Sequence, residues 1–379
     1  MKTLAVIGAG FGDEGKGLVT DYLCTQYDNP LVIRFSGGQQ AGHHVVVDEN
    51  RQHVFSNFGS GTFQGAPTYW SHNCTIDPVG IVNELDLLLK IGIKPLLYID
   101  ECCPVTTPYD IAHNRKTEEV NLHGSCGLGV GATIEREENY YSLVFGDLFY
   151  PAVLEIKLDL IRNYYGSSAV RDDFLFCCDQ LIHSEHIRVS EGMPGKGFET
   201  YVFEGSQGLL LDQRIGFFPH VTRANTGTQN ILKMGYAPKV FLVTRAYQTR
   251  HGNGVMTNEK IPHNIKDNPY EKNNANGYQG PFRRSLLDLD LIKYGISRDS
   301  YIRENRHKTL IITCLDLIEN EYRFTIGNKI VYSYDQNDFV AKIIDFLGID
   351  DVLLSKSPFS SAMTKFSLAP KEPGDQWEP

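Results

Sequence analysis

Cysteine patterns that would bind metal or form disulfides are missing from this chain. Its 379 residues hold eight cysteines, including the adjacent pairs Cys102-Cys103 and Cys177-Cys178, with no C-x-x-C spacing and no histidine-rich ligand run. That excludes a zinc ribbon and a disulfide scaffold and leads us to expect reduced thiols. Positive charge is in short supply: 36 Lys and Arg stand against 46 Asp and Glu, for a formal net charge of -10. No basic tail or stripe appears, so a nucleic-acid partner is excluded, whereas local arginines can still hold a small anion. No apolar run approaches the ~20 residues of a membrane span. Nor does a basic n-region with a cleavage site precede the first strand-like segment, so a soluble, cytoplasmic protein with no membrane partner is expected. Repeats, low-complexity segments and convincing linkers are lacking too. The 41% hydrophobic content is enough for one large core, and a single domain over residues 1–379 is expected.

What is present is an alternation of short apolar runs with glycine-rich or helical stretches. Residues 4–7, 31–35, 45–47, 96–99, 201–204, 240–243 and 310–313 read as strands. Apolar positions at helical spacing follow Gly15, and recur at Ile81, Leu85 and Leu88, at Leu154, Leu158 and Ile161, and at Phe339, Ile343 and Leu347. Residues 264–280, rich in Asn and Gly, read as a long exposed loop. The expected fold is α/β: a large domain around a mostly parallel central sheet, with a P-loop-like glycine loop after the first strand. Ligands then belong outside the carboxyl ends of the strands.

The first loop, Gly8-Ala9-Gly10-Phe11-Gly12-Asp13-Glu14-Gly15-Lys16-Gly17, is the most informative stretch. A strand, a glycine loop and a helix N-terminus direct free N–H groups and the helix dipole at one point, where a phosphate fits. The dinucleotide pattern G-x-G-x-x-G fails at its third glycine, where Asp13 stands. The Walker pattern places Gly10, Gly15 and Lys16 in register, but Gly17 replaces the Mg²⁺-binding hydroxyl. An acid inside a phosphate cradle is repelled unless it binds metal or moves a proton, so Asp13 reads as functional.

Longer motifs carry a family resemblance. Phe11-Gly12-Asp13-Glu14-Gly15-Lys16-Gly17 resembles the W-G-D-E-G-K-G signature of the adenylosuccinate synthetase family. Gly37-Gly38-Gln39-Gln40-Ala41-Gly42-His43 resembles its G-G-x-N-A-G-H, and residues 203–212 (FEGSQGLLLD) resemble F-E-G-A-Q-G-x-L-L-D. Residues 219–226 and 245–250 add to the match, in the same order, over nearly the whole chain. The resemblance implies a homodimeric ligase that joins IMP to L-aspartate with GTP and Mg²⁺ through a 6-phosphoryl intermediate. By the same resemblance, Asp13 is the base that takes the N1 proton and a Mg²⁺ ligand, with the Gly42 carbonyl completing the metal shell. His43 is the acid partner, and Lys16 neutralises phosphate charge.

The resemblance further assigns GTP to Gly12, Glu14, Gly15, Gly17, Leu18, Arg283, Cys314, Asp316, Ser355 and Ser357. Asp316, in Thr313-Cys314-Leu315-Asp316 against the family's T-K-L-D, would accept the N1–H and N2 amino hydrogens of guanine. IMP falls to Gln40, Ser125, Cys126, Gln207 and Thr222, and the amino acid to Gln279, Arg283 and Arg284. Several positions depart from the pattern. Gln40 replaces Asn, and Ser125 and Cys126 replace Thr-Thr. An arginine donated across the dimer has its place near Tyr140, with Arg136 as a substitute. In Tyr278-Gln279-Gly280-Pro281-Phe282-Arg283-Arg284, Pro281 replaces the first arginine of T-T-G-R-x-R-R and cannot pair with a carboxylate. Two alternatives therefore stay open. One is a paralogue using GMP, dGMP or another amino donor, although phage relatives acting on dGMP tend to lose the loop acid. The other is a non-catalytic GTP-binding homologue.

Overall fold

Leu4, Ala5, Val6 and Ile7 leave no polar face, and the strand they build, Lys2–Gly8, runs through the middle of a ten-stranded sheet in the computed structural model. The structure describes residues 1–121, 124–195, 197–273, 278 and 280–367. From one edge the strands run Thr364–Phe366, Asp351–Leu354, Lys308–Thr313, Lys239–Arg245, Lys2–Gly8, Thr200–Gly208, Pro30–Arg34, Thr68–Trp70, Leu97–Asp100 and Ile187–Ser190. Every neighbouring pair is parallel except the antiparallel edge strand Thr364–Phe366. The expected α/β class and mostly parallel sheet are observed.

Both faces of this sheet are covered. Leu4 and Val6 face one way, onto Val19 and Leu23 of the helix Lys16–Gln26. Ala5 and Ile7 face the other, into a larger core with Ile292 and Ile296 of the helix Leu289–Arg298 and Ile343 of the helix Gln336–Leu347. A third core joins Trp70 and Ile99 to the helices Pro78–Lys90, Pro151–Tyr165 and Asp172–His183. Because the strands are parallel, the loops that leave Gly8, Arg34, Gly208, Arg245 and Thr313 emerge at one end, where a ligand is expected.

A four-stranded sheet stands beside that end, in the order Tyr247–His251, Phe282–Asp288, Tyr322–Ile326, Lys329–Ser333. Arg283 and Arg284, expected from the sequence at the amino-acid site, lie on one of these strands. Residues 264–273 and 280 hold no helix or strand, in keeping with the expected loop.

Candidate active site

The backbone of the first loop is wound to present N–H groups. Gly12, Asp13 and Gly15 have positive φ of 93°, 57° and 97°, a concave arrangement that holds anions. Gly15 is the N-cap of the helix Lys16–Gln26 and offers no side-chain acceptor, so the first helical N–H groups stay open for a ligand. Asp is among the few residues that tolerate this left-handed conformation. The loop is braced from outside. Arg245 Nε donates to the Asp13 carbonyl, Thr249 Oγ1 to Gly12 O at 2.9 Å and Thr313 Oγ1 to Glu14 O at 2.8 Å. Glu14 folds inward, accepting from Gly10 N with Oε1 and sitting 3.7 Å from Lys16 Nζ with Oε2. Burial pushes its carboxyl up, and Lys16 pulls it back down.

The position where a Walker loop carries a hydroxyl is glycine for a steric reason. A Cβ on Gly17 would lie 2.9 Å from His43 Cβ and 3.2 Å from the His44 carbonyl. The strand His43–Val46 is thus pressed against the first helical turn, and no side chain fits between them. Gly17→Ser, which completes the Walker pattern on paper, should lower turnover at least about 100-fold by displacing His43, an effect on the scale of one general acid or base. Steady-state phosphate release checks this; an unchanged rate would mean that the two segments are not held in contact.

His43 itself is 7% exposed. Its Nδ1 is 2.7 Å from Glu204 Oε1, and its Nε2 is buried without a hydrogen-bond partner. Glu204 also accepts from Ser60 N at 3.2 Å and from Ser60 Oγ, and lies 3.6 Å from Arg34 NH1. Burial by itself would raise the Glu204 carboxyl, but His43, Arg34 and Ser60 outweigh it and hold it down at about 2. Burial, with Arg34 and Lys16 nearby, lowers the His43 imidazole, while Glu204 opposes the shift. An ionised Glu204 therefore takes Nδ1–H and leaves Nε2 for a ligand.

A second cradle faces the first. Gly124, Gly127 and Gly129 have positive φ of 84°, 72° and 79°, and Gly129 caps the helix Val130–Glu138 without a side-chain acceptor. Asn114 fixes this loop, donating to Ser125 Oγ at 3.1 Å and accepting from Gly129 N at 3.1 Å. Burial pushes the Cys126 thiol up to about 11, so it stays neutral and does not repel an anion. Gln40 Oε1 is buried without a partner between the two cradles.

Both cradles open into one cavity of about 1160 Å³, above the ~300–1,000 Å³ of a single small-molecule pocket. It is lined by Gly12, Asp13, Glu14, Gly15, Lys16, Gly17 and Leu18, by Gln40, Gly42 and His43, and by Ser125, Cys126, Gln207 and Thr222. Cys314, Asp316, Ser355 and Ser357 complete the set. Three arginines expected at ligands do not reach it. Arg136 is fully buried, with its donors on Asp110, Glu137 and the carbonyls of Val105 and Tyr141, so it cannot substitute for a cross-subunit arginine. Arg283 and Arg284 are not among the lining residues; they are tied to Glu259 at 2.7 Å and Asp267 at 2.9 Å. Gln279 lies outside the described residues. Glu204, Arg245, Thr249 and His251 were not singled out from the sequence. The available signals for Glu204 were a charge closing the strand-like run 201–204 and its place in the motif 203–212.

The parallel sheet, its P-loop-like glycine turn and a cavity of this size at the carboxyl ends of the strands define the class, a single-domain α/β protein with a large ligand site. The adenylosuccinate synthetase family model matches residues 5–345, and the chain belongs to that family, whose members are ligases. The chain is 29% identical to the adenylosuccinate synthetase of Thermoplasma volcanium, over 90% of this chain and 82% of the relative. It is 27% identical to that of Francisella tularensis subsp. novicida, over 95% and 88%. Among solved structures, fully ligated adenylosuccinate synthetase from Plasmodium falciparum superposes with a TM-score of 0.74 at 16% identity, over 97% of this chain and all of that one. Cyanophage S-2L succinoaminodeoxyadenylate synthetase (PurZ), bound to dGMP and to dATP as an energy donor, superposes with a TM-score of 0.66 at 15% identity, over 96% and 95%. Both structural likenesses concern the fold.

Proposed function

We propose that this protein joins IMP to L-aspartate at the expense of GTP, forming adenylosuccinate through a 6-phosphoryl intermediate. The observation that carries the reading is Asp13, an acid held in the phosphate-binding turn, sharing one cavity with the unpartnered Nε2 of His43. The 6-oxo group of hypoxanthine leaves poorly as hydroxide. Asp13 removes the N1 proton, negative charge moves to O6, and O6 attacks the γ-phosphate. His43, oriented by Glu204, takes the imidazolium form that the charge of bound phosphates and Glu204 favours, and in that form donates from Nε2 to the charge developing on O6, while Lys16 and the loop N–H groups receive the phosphates. The amine of aspartate then attacks C6, and inorganic phosphate leaves.

A metal fits the donor set. Among the described residues no cluster of three His, Cys, Asp or Glu could hold an ion, so Asp13 and the Gly42 carbonyl would contribute to a shell completed by phosphate oxygens and water. That is the ordinary environment of Mg²⁺, which when bound offsets the charge on the transferring phosphate. The same reading takes residues 1–379 as one domain working in a cytoplasmic homodimer.

Asp316 reads the guanine of GTP, with Ser355 and Ser357 beside it and Cys314 in place of a covering lysine side chain. Asp316→Asn should raise KM for GTP at least about tenfold, since one acceptor is exchanged for a donor. An unchanged KM would remove the guanine assignment. The decisive test of the whole proposal is phosphate release with GTP and Mg²⁺, offering IMP, GMP and dGMP against a panel of amino acids. Turnover dependent on IMP and L-aspartate is expected. Turnover with dGMP would instead place the chain with the paralogous chemistry, and binding of GTP without any turnover would leave a nucleotide-binding homologue.

A further inference from the structure

The smaller sheet meets the first loop through the strand Tyr247–His251, whose Thr249 donates to the Gly12 carbonyl. His251, two residues on, shares that face of the strand and stands about 7 Å further along. It lines the cavity, packs edge-on against Phe282 at 5.9 Å between ring centroids, and has a buried Nε2 without a hydrogen-bond partner. The cations around it are already occupied. Arg250 donates to the carbonyls of His220, Asn253 and Val255. Arg245 holds Asp13 O, Tyr247 and Glu271, and Arg283 holds Glu259 with the carbonyls of Gly252 and Gly254. Lys272 stands elsewhere, close enough to His44 to lower its imidazole.

We propose that His251 Nε2 binds a carboxylate of the amino donor, at the place where Pro281 supplies no charge. This rests on the ligase reading above. The amine must attack C6, next to the N1 that Asp13 deprotonates, so the donor lies within about an amino acid's length of Asp13. A carboxylate stripped of water there needs an N–H, and His251 has one to give. The ligand class is an α-amino acid, held by one imidazole contact where an arginine would make two. Selection among amino donors is correspondingly looser than a bidentate arginine would impose.

The test measures KM for L-aspartate, IMP and GTP in the full-length protein and in His251→Ala and His251→Gln. His251→Ala should raise KM for L-aspartate at least about tenfold while the two nucleotide values move less than about twofold, the mark of a lost contact to one substrate. His251→Gln, which keeps an N–H donor at similar reach, should recover most of the loss. An unchanged KM for L-aspartate, an equal rise for all three substrates, or no recovery in His251→Gln would overturn the proposal while the ligase reading stands. No turnover by the unaltered protein with any amino donor would overturn both.

Discussion

Asp13→Asn should reduce substrate-dependent phosphate release about a thousandfold or more, within the range one general base contributes. The substitution is chosen because Asn, like Asp, tolerates the left-handed backbone that position 13 adopts at φ 57°. The turn, the N–H groups it presents and the bracing from Thr249 and Arg245 should therefore survive. An amide cannot take the N1 proton, so O6 stays a neutral and poor nucleophile. GTP affinity, measured by calorimetry with Mg²⁺, should change by less than about tenfold, because the phosphates are held by backbone and Lys16 and lose only one metal contact. Near-normal turnover in Asp13→Asn would remove the base from the mechanism. A large loss of GTP affinity would instead make Asp13 chiefly a metal ligand.

The parts of this site that could be read from the sequence are those where backbone conformation dictates residue type. Gly12 and Gly15 adopt positive φ, and the glycine loop that holds them announced a cradle before any contact was known. Asp13 stood out because an acid is costly beside phosphate. Gly17 looked like a defect in a Walker motif until its close contact with His43 explained it. What could not be read was direction. Motif register placed Arg283 and Arg284 beside the amino-acid site, but register says nothing about which way a side chain points or what holds it. Glu259 and Asp267, which draw them away from the cavity, lie 24 and 17 residues upstream. Arg136 is taken out of play by Asp110, on a different helix. The smaller sheet escaped notice because charges interrupt its strands, with Arg283 and Arg284 half-buried near the start of one and Arg323 within another, so the apolar pattern is broken there.

Glu204→Gln should lose both stability and activity, and the two losses have one cause. The carboxylate accepts from His43 Nδ1, Ser60 N and Ser60 Oγ and faces Arg34, in a pocket with no exposure at all. A glutamine has one acceptor oxygen and brings two N–H donors into a ring of donors. Arg34 would be left charged and buried without its partner, a loss of about 3 kcal/mol or more. The pH dependence gives an independent signature. In the folded protein Glu204 is held at about 2 against an ordinary value of 4.5, so the unfolded chain takes up its proton first. The stability Glu204 provides is complete above pH 4.5 and is lost as pH falls from there toward 2, amounting to about 3 kcal/mol for a shift of this size. His43, lowered from 6.5, acts with the same sign and begins to withdraw stability below pH 6.5. Urea unfolding should therefore show wild-type stability falling through both windows, and Glu204→Gln starting lower at pH 7 but falling less below pH 4.5. Activity should drop about 100-fold in kcat, with KM for GTP little changed, because His43 loses the group that fixes its tautomer while the phosphate loop is untouched. An acid limb as steep in Glu204→Gln as in the wild type would show that the carboxylate is not the group titrating, and the orientation of His43 would then need another source.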